Sequence, residues 1–481
     1  MKKRLLALLL ALVMVVALLP TIALAADGGN TLQFSTDLKA EYSSKKSDWG
    51  PSVTIAVGTY TPAGGTATAL PAGTKLQYQW YWNTTGEVKP ESDTKMQGTN
   101  RAFLPTKELG IKYCYAIVTA EIDGVTYTGT TTVAKVIVKV PDITVTATVN
   151  NKGVLAACKD GKPASNISVK VSDLNLDGKH TYDEAMVALH TACLSADGFA
   201  VSDAGWVTKL WGVETSNCAF YLNGKTFDTK VTETALKAKD VLYASLNKDG
   251  TYYSDQYSTF DLSTKTIAEG VPMELTLTGS DGKALAGVQI GLWEDGTFKA
   301  LEGKTTDENG KVSLSFETAG DYYVTAGGTV KATVTTDWST GATEERDCPL
   351  MAPACSVTVK KVGNLSFTGS FSEESYCYKV GETNTFSWLF SAKYDVDGAA
   401  DSGVKITTSW YRLGKNSATP EKVEDIYAAF TDADVGTWQY YMYAEGDAYG
   451  VKVSARSNFA NVIVAKPTPL TGNSAHGYTT I

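Results

Sequence analysis

A chain of 481 residues has room for three or four domains of about 100–200 residues each. Hydrophobic residues at 43% and charged residues at 20% exclude a chain disordered throughout. The net charge of −9 argues against nucleic acid or anionic lipid as a partner, since both need a basic footprint, and three histidines leave little for a histidine-built catalytic or zinc centre.

Residues 1–26 read as a secretory leader. Lys2-Lys3-Arg4 precedes an apolar run from Leu5 to Leu19, followed by Pro20 and the small-residue site Ala23-Leu24-Ala25. The run is shorter than the ~20 residues of a membrane span. Cleavage after Ala25 or Ala26 would leave a secreted or cell-surface chain with no transmembrane segment, three charges more negative than the precursor.

Beyond the leader, strict alternation marks strands, as in Ile143–Val149, Met273–Leu277 and Val312–Phe316, with Gly, Asn, Asp and Pro between them. The fold class expected is mostly β: tandem β-sandwiches plus one small α+β module. Two distant segments read as copies of one unit, residues 27–141 and 362–466. The first carries Trp80-Tyr81, then Gly110-Ile-Lys-Tyr113-Cys114-Tyr115, and closes on Val136-Ile137-Val138. The last carries Trp410-Tyr411, then Asp434-Val-Gly436-Thr-Trp438-Gln-Tyr440, and closes on Val462-Ile463-Val464. These residues resemble bacterial immunoglobulin-like domains, which implies a core Trp on a central strand and a D-x-G-x-Y turn into the strand facing it. Neither copy has two cysteines placed for the inter-sheet bridge of antibody domains, so aromatic burial must hold each.

Residues 142–262 form the unusual unit. Tyr182 to Leu194 has helical spacing, with Met186, Leu189, His190 and Cys193 on one face. Before it stands Asp173-Leu-Asn175-Leu-Asp177-Gly178-Lys179-His-Thr181-Tyr-Asp183-Glu184, matching D-x-[DN]-x-[DN]-G-x5-E at every specified position. Calcium takes six to eight hard oxygens, and a short loop wraps the ion when alternate residues face inward. Asp173, Asn175 and Asp177 would supply side-chain oxygens, Lys179 its backbone carbonyl, Thr181 a contact through water, and Glu184 both carboxylate oxygens. The loop resembles EF-hand and dockerin-type loops. It departs in following a strand, in carrying His180 at position 8, and in lacking a sister loop, which implies a structural calcium site and not a paired sensor. The competing reading is a polar turn that only caps the helix. The latter half of the unit resembles transcobalamin-C-terminal-like β domains.

Residues 263–361, with Ser280-Asp-Gly-Lys283 and Thr306-Asp-Glu-Asn-Gly-Lys311, resemble prealbumin-like or carboxypeptidase-regulatory-like sandwiches, which implies a spacer. Residues 467–481 read as a linker or tail. Seven cysteines are odd in number and lack CxxC spacing, so at least one stays unpaired within the chain; Cys193–Cys218 and Cys348–Cys355 are the plausible pairings, each inside one expected domain, against a competing reading of seven small buried thiols.

The function expected is a non-catalytic binding or adhesion protein whose second domain holds one structural Ca2+, its partner an extracellular protein or glycan. Two alternatives compete. A carbohydrate-binding accessory protein would expose Trp206, Trp211, Phe220, Tyr221, Tyr252, Tyr253 and Tyr257 in a row. A hydrolase with an unfamiliar site would need clustered carboxylates, or Cys158 beside His190 as nucleophile and base.

Overall fold

The computed structural model describes residues 29–46, 53–96, 108–227, 229–248, 255–337, 339–386 and 388–467. The leader, Tyr252, Tyr253 and the tail after residue 467 lie outside them. The chain is mostly β, built of tandem immunoglobulin-like sandwiches, and the helix Tyr182–Cys193 is the one α-helix among the described residues. Contacts divide the chain into two compact units: one of residues 1–149, 158–160 and 166–246, the other of residues 150–157, 161–165 and 247–481.

In the first unit, Leu76–Asn83 pairs antiparallel with Gly110–Ile122, which also pairs with Val125–Thr130 and Ala134–Lys139. Glu41–Lys45 runs parallel to Ala134–Lys139. Alternate residues turn inward, as the period of two demands, so Trp80, Cys114, Ala116, Val118, Val136 and Val138 share one buried core. The same unit holds the module around the helix. There Ile143–Asn151 pairs with Ile167–Val171, and Cys218–Leu222 pairs with Val241–Leu246. The helix is tied to this sheet by Tyr182, fully buried, whose hydroxyl donates to the carbonyls of Tyr243 at 2.8 Å and Tyr221 at 3.3 Å.

In the second unit, residues 256–360 form two five-stranded sheets around Leu275, Leu277, Ile290, Leu314, Val324 and Val357. The strand Gln256–Phe260, read from sequence with the preceding domain, pairs with Met273–Gly279 and Ala342–Met351 and so belongs to this sandwich. The last domain follows. Ile406–Gly414 pairs with Gly436–Ala448, which pairs with Ala460–Ala465, and Ser375–Lys379 runs parallel to that strand.

The two immunoglobulin-like copies share their register residue by residue. Trp80 stands opposite Ala116 and Trp410 opposite Met442; Gly110 stands opposite Val138 and Gly436 opposite Val464. Both glycines open their strand at positive φ, +106° and +143°, where a β-carbon is strained. Two strand positions beyond the core Trp, the copies make one contact in opposite senses. In the first, the Lys112 ammonium lies 4.3 Å from the centroid of Trp82. In the last, the cation is Arg412, at the position matching Trp82, and it lies 4.2 Å from the ring of Trp438, at the position matching Lys112.

Arg412 also bonds Asp434 and Glu421. Burial pushes the Asp434 carboxyl up, but hydrogen bonds from Thr431 and from Arg412 outweigh it and hold the group below its usual range. Replacing Arg412 by Ala should therefore cost about 2–3 kcal/mol, by stranding a half-buried carboxylate and uncovering the indole. Arg412→Lys should recover only part of that, because an ammonium lacks the planar fork. Calorimetric melting of both variants checks this, and equal stability of Ala and Lys variants would refute it.

Candidate functional site: the acidic loop before the helix

The loop between Ile167–Val171 and the helix reverses twice in the left-handed region, at Leu176 (φ +61°) and Gly178 (φ +88°). The positive φ is what calls for glycine at 178; a β-carbon there would also meet Leu109 Cδ1 at 2.6 Å, a side-chain end free to turn away. These reversals bring side chains at alternate positions to the loop's inner side. Asp173, only 2% exposed, accepts from Asp177 N at 3.1 Å through Oδ1 and from Gly178 N at 3.0 Å through Oδ2. Asn175 Oδ1 accepts from Asp177 N at 3.0 Å, and Asp177 Oδ1 accepts from Lys179 N at 2.8 Å.

Glu184 closes the arrangement. It is 4% exposed, and its Oε1 reaches back to accept from Leu174 N at 2.6 Å while Oε2 accepts from Thr181 N at 3.0 Å. The second bond is half of a capping box at the start of the helix. The spacing Thr181-x-x-Glu184 was a visible signal for it, one that the metal-loop reading assigned to another purpose. Glu184 thus caps the helix and folds over the loop at once.

The electrostatics of this arrangement are unfavourable as they stand. Burial raises the Glu184 carboxyl above its ordinary range, N–H groups of Leu174, Thr181 and Asn175 offset part of that, and the charge of Asp173 raises it further. Among the described residues no Lys or Arg is ion-paired with Asp173, Asp177 or Glu184. An ionised carboxylate offers about four lone-pair sites, so the two N–H bonds to Asp173 and the three to Glu184 leave acceptor capacity for a hard cation. The donor set suits calcium in kind: two buried carboxylates, a third carboxylate, an amide oxygen and a backbone carbonyl. It is not, however, a gathered cluster; among the described residues no group of three or more His, Cys, Asp or Glu is drawn together as for a metal ion.

The other candidates from sequence fare as follows. His190 is fully buried, with Nδ1 at 2.6 Å from Met186 O and Nε2 accepting from Trp211 N at 3.1 Å. Both ring nitrogens are thereby engaged by the backbone, and burial takes the imidazole down to about 4, so it is not placed as a base for Cys158. Of the aromatics, Trp211, Tyr221 and Tyr257 are buried, whereas Trp206 is 62% exposed. The row of exposed rings that the carbohydrate-binding alternative requires is not formed by the described members, since three of them are core residues, Tyr257 in the following sandwich. Cys193 stands beside Cys158, whose neighbour Lys159 donates through its backbone N to Cys193 O at 2.7 Å, whereas the Cys218 thiol is turned to Ser216 O; none of the three is disulfide-bonded. Cys348 and Cys355, the other expected pair, lie on strands of the two different sheets of their sandwich and are not bonded to one another.

No family model matches the chain, and no curated protein matches it. Solved structures that it resembles are chains of β-domains. Fibronectin(III)-like modules of CbhA from Clostridium thermocellum align at 14% identity, covering 46% of this chain and all of theirs, with a TM-score of 0.23. The three N-terminal domains of the outer capsid protein Hoc of bacteriophage RB49 align at 11% identity over 91% of this chain and 99% of theirs, with a TM-score of 0.21. Drosophila N-cadherin EC1-4 aligns at 11% identity over 88% and 98%, with a TM-score of 0.16. Superpositions this loose carry no argument about what the chain does.

Proposed function

We propose that this chain is a non-catalytic binding or adhesion protein, secreted or held at the cell surface, in which one calcium ion sets the conformation of the 142–262 module. The observation that carries the reading is the pair of buried carboxylates, Asp173 and Glu184, with no cationic side chain paired to either among the described residues. Asp173, Asn175, Asp177 and Glu184 would hold the ion with the Lys179 carbonyl, and Thr181 through water. The ion would supply positive charge and draw the loop onto the first turn of the helix. The partner proposed is an extracellular protein or glycan. No helix among the described residues is long and apolar enough to cross a membrane, and the leader expected at residues 1–26 would export the chain.

Isothermal titration of the full chain with calcium tests the site. A single loop of this kind is expected to bind at about 10⁻⁴–10⁻³ M, the range of extracellular modules. Asp173→Ala should abolish the heat. Absence of saturable heat, together with melting curves that coincide in calcium and in chelator, would sink the proposal.

A further inference from the structure

Cys193 ends the helix, where the last carbonyls lack intrahelical partners. The segment after the strand Val154–Leu155 supplies them. Lys159 N donates to Cys193 O at 2.7 Å, and Lys159 Nζ donates to Thr191 O at 3.4 Å. This capping fixes the backbone at Cys158 beside the helix end and brings the two thiols close enough for each to perturb the other. Both are buried, each 7% exposed. Cys218, the partner suggested by sequence, sits on another strand with its thiol turned to Ser216 O at 3.8 Å.

We infer that Cys158 and Cys193 are a covalent crosslinking site, a disulfide that fastens the capping segment to the end of the helix. The backbone is already held beside the helix end, so the bond needs the two sulfurs to close to about 2.05 Å. The oxidant is a small-molecule or protein disulfide, such as an exported chain meets in an oxidising compartment. The Cys193 thiolate attacks one sulfur of that disulfide, expelling a thiolate and forming a mixed disulfide. The Cys158 thiolate then attacks the Cys193 sulfur and expels the second. Two thiols of the chain lose two protons and two electrons, and one oxidant disulfide becomes two thiols. Interaction with Cys158 lowers the Cys193 thiol, which suits it to the first attack, while the same interaction and burial raise Cys158.

The bond closes a loop of ~35 residues, so its loss should lower the melting temperature of the module by about 10 °C. The test is oxidation of the purified full chain with glutathione disulfide, followed by alkylation and non-reducing peptide mapping, with melts before and after reduction. A Cys158–Cys193 linked peptide, and a melting shift on reduction that Cys158→Ser and Cys193→Ser both abolish, is the expected result. Recovery of both cysteines fully alkylated, or of Cys193 linked to Cys218, would overturn the inference. Peptide mapping of the unaltered chain decides the matter even where a serine variant fails to fold. The outcome is independent of calcium, which is absent from the assay.

Discussion

Glu184→Gln is expected to have an effect that grows with calcium. In chelator the amide oxygen can still accept from Thr181 N and one of two buried, mutually repelling charges is gone, but the amide nitrogen cannot accept from Leu174 N as Oε1 does. The two effects oppose, so the variant should melt close to the unaltered chain there. At calcium a hundredfold above the dissociation constant, the unaltered chain gains about 2.7 kcal/mol that the variant cannot gain. For a module of this size that is a shift of about 10 °C. A helix-capping turn without metal predicts the same small difference in both media. Paired calorimetric melts therefore separate the two readings, and a calcium-independent difference would remove the metal from the account.

Trp80→Ala should be the most damaging single replacement in the first domain, at about 3–5 kcal/mol. The indole is 2% exposed and packs among Val118, Val136, Leu38 and Cys114. Cys114 is not disulfide-bonded, so no covalent bridge between the sheets shares the load. Trp410→Ala should cost less, about 2 kcal/mol, because that ring is only half-buried beside Phe371 and Trp388. Denaturant titration with proteolytic mapping of each domain measures both. A loss below 1 kcal/mol at Trp80 would mean that the ring is not the keystone of its sandwich.

Much of this was legible in the sequence because it depends on local periodicity. Alternation at Ile143–Val149 and Met273–Leu277 gave strands, and the spacing of Met186, Leu189 and Cys193 gave the helix to within one residue. The core role of Trp80 was what the resemblance to immunoglobulin-like domains implied. What could not be read are properties of pairing between distant segments. A run such as Gln256–Phe260 announces a strand but not its neighbour, which turned out to be Met273–Gly279. Membership of one expected domain suggested Cys193–Cys218, whereas a helix end in need of hydrogen bonds brought Lys159, and with it Cys158, to Cys193. For the acidic loop, sequence supplied the donor types and their order. The engagement of Glu184 with Leu174 N depends on the two left-handed reversals, which a motif does not encode.

The reversed cation–ring contact has a bearing on how interchangeable the two immunoglobulin-like copies are. Trp82 faces Lys112 in one, and Arg412 faces Trp438 in the other. Grafting Ile406–Gly414 into the place of Leu76–Asn83 would set Arg against Lys, two like charges where attraction was needed. The reciprocal graft would set Trp against Trp, crowding two indoles into a slot shaped for one. The strands of the copies are thus not spare parts for each other despite their common register, and a chimera would have to move both members together. Aligned column by column, the two copies look unrelated at these positions, although what they have kept is the pair.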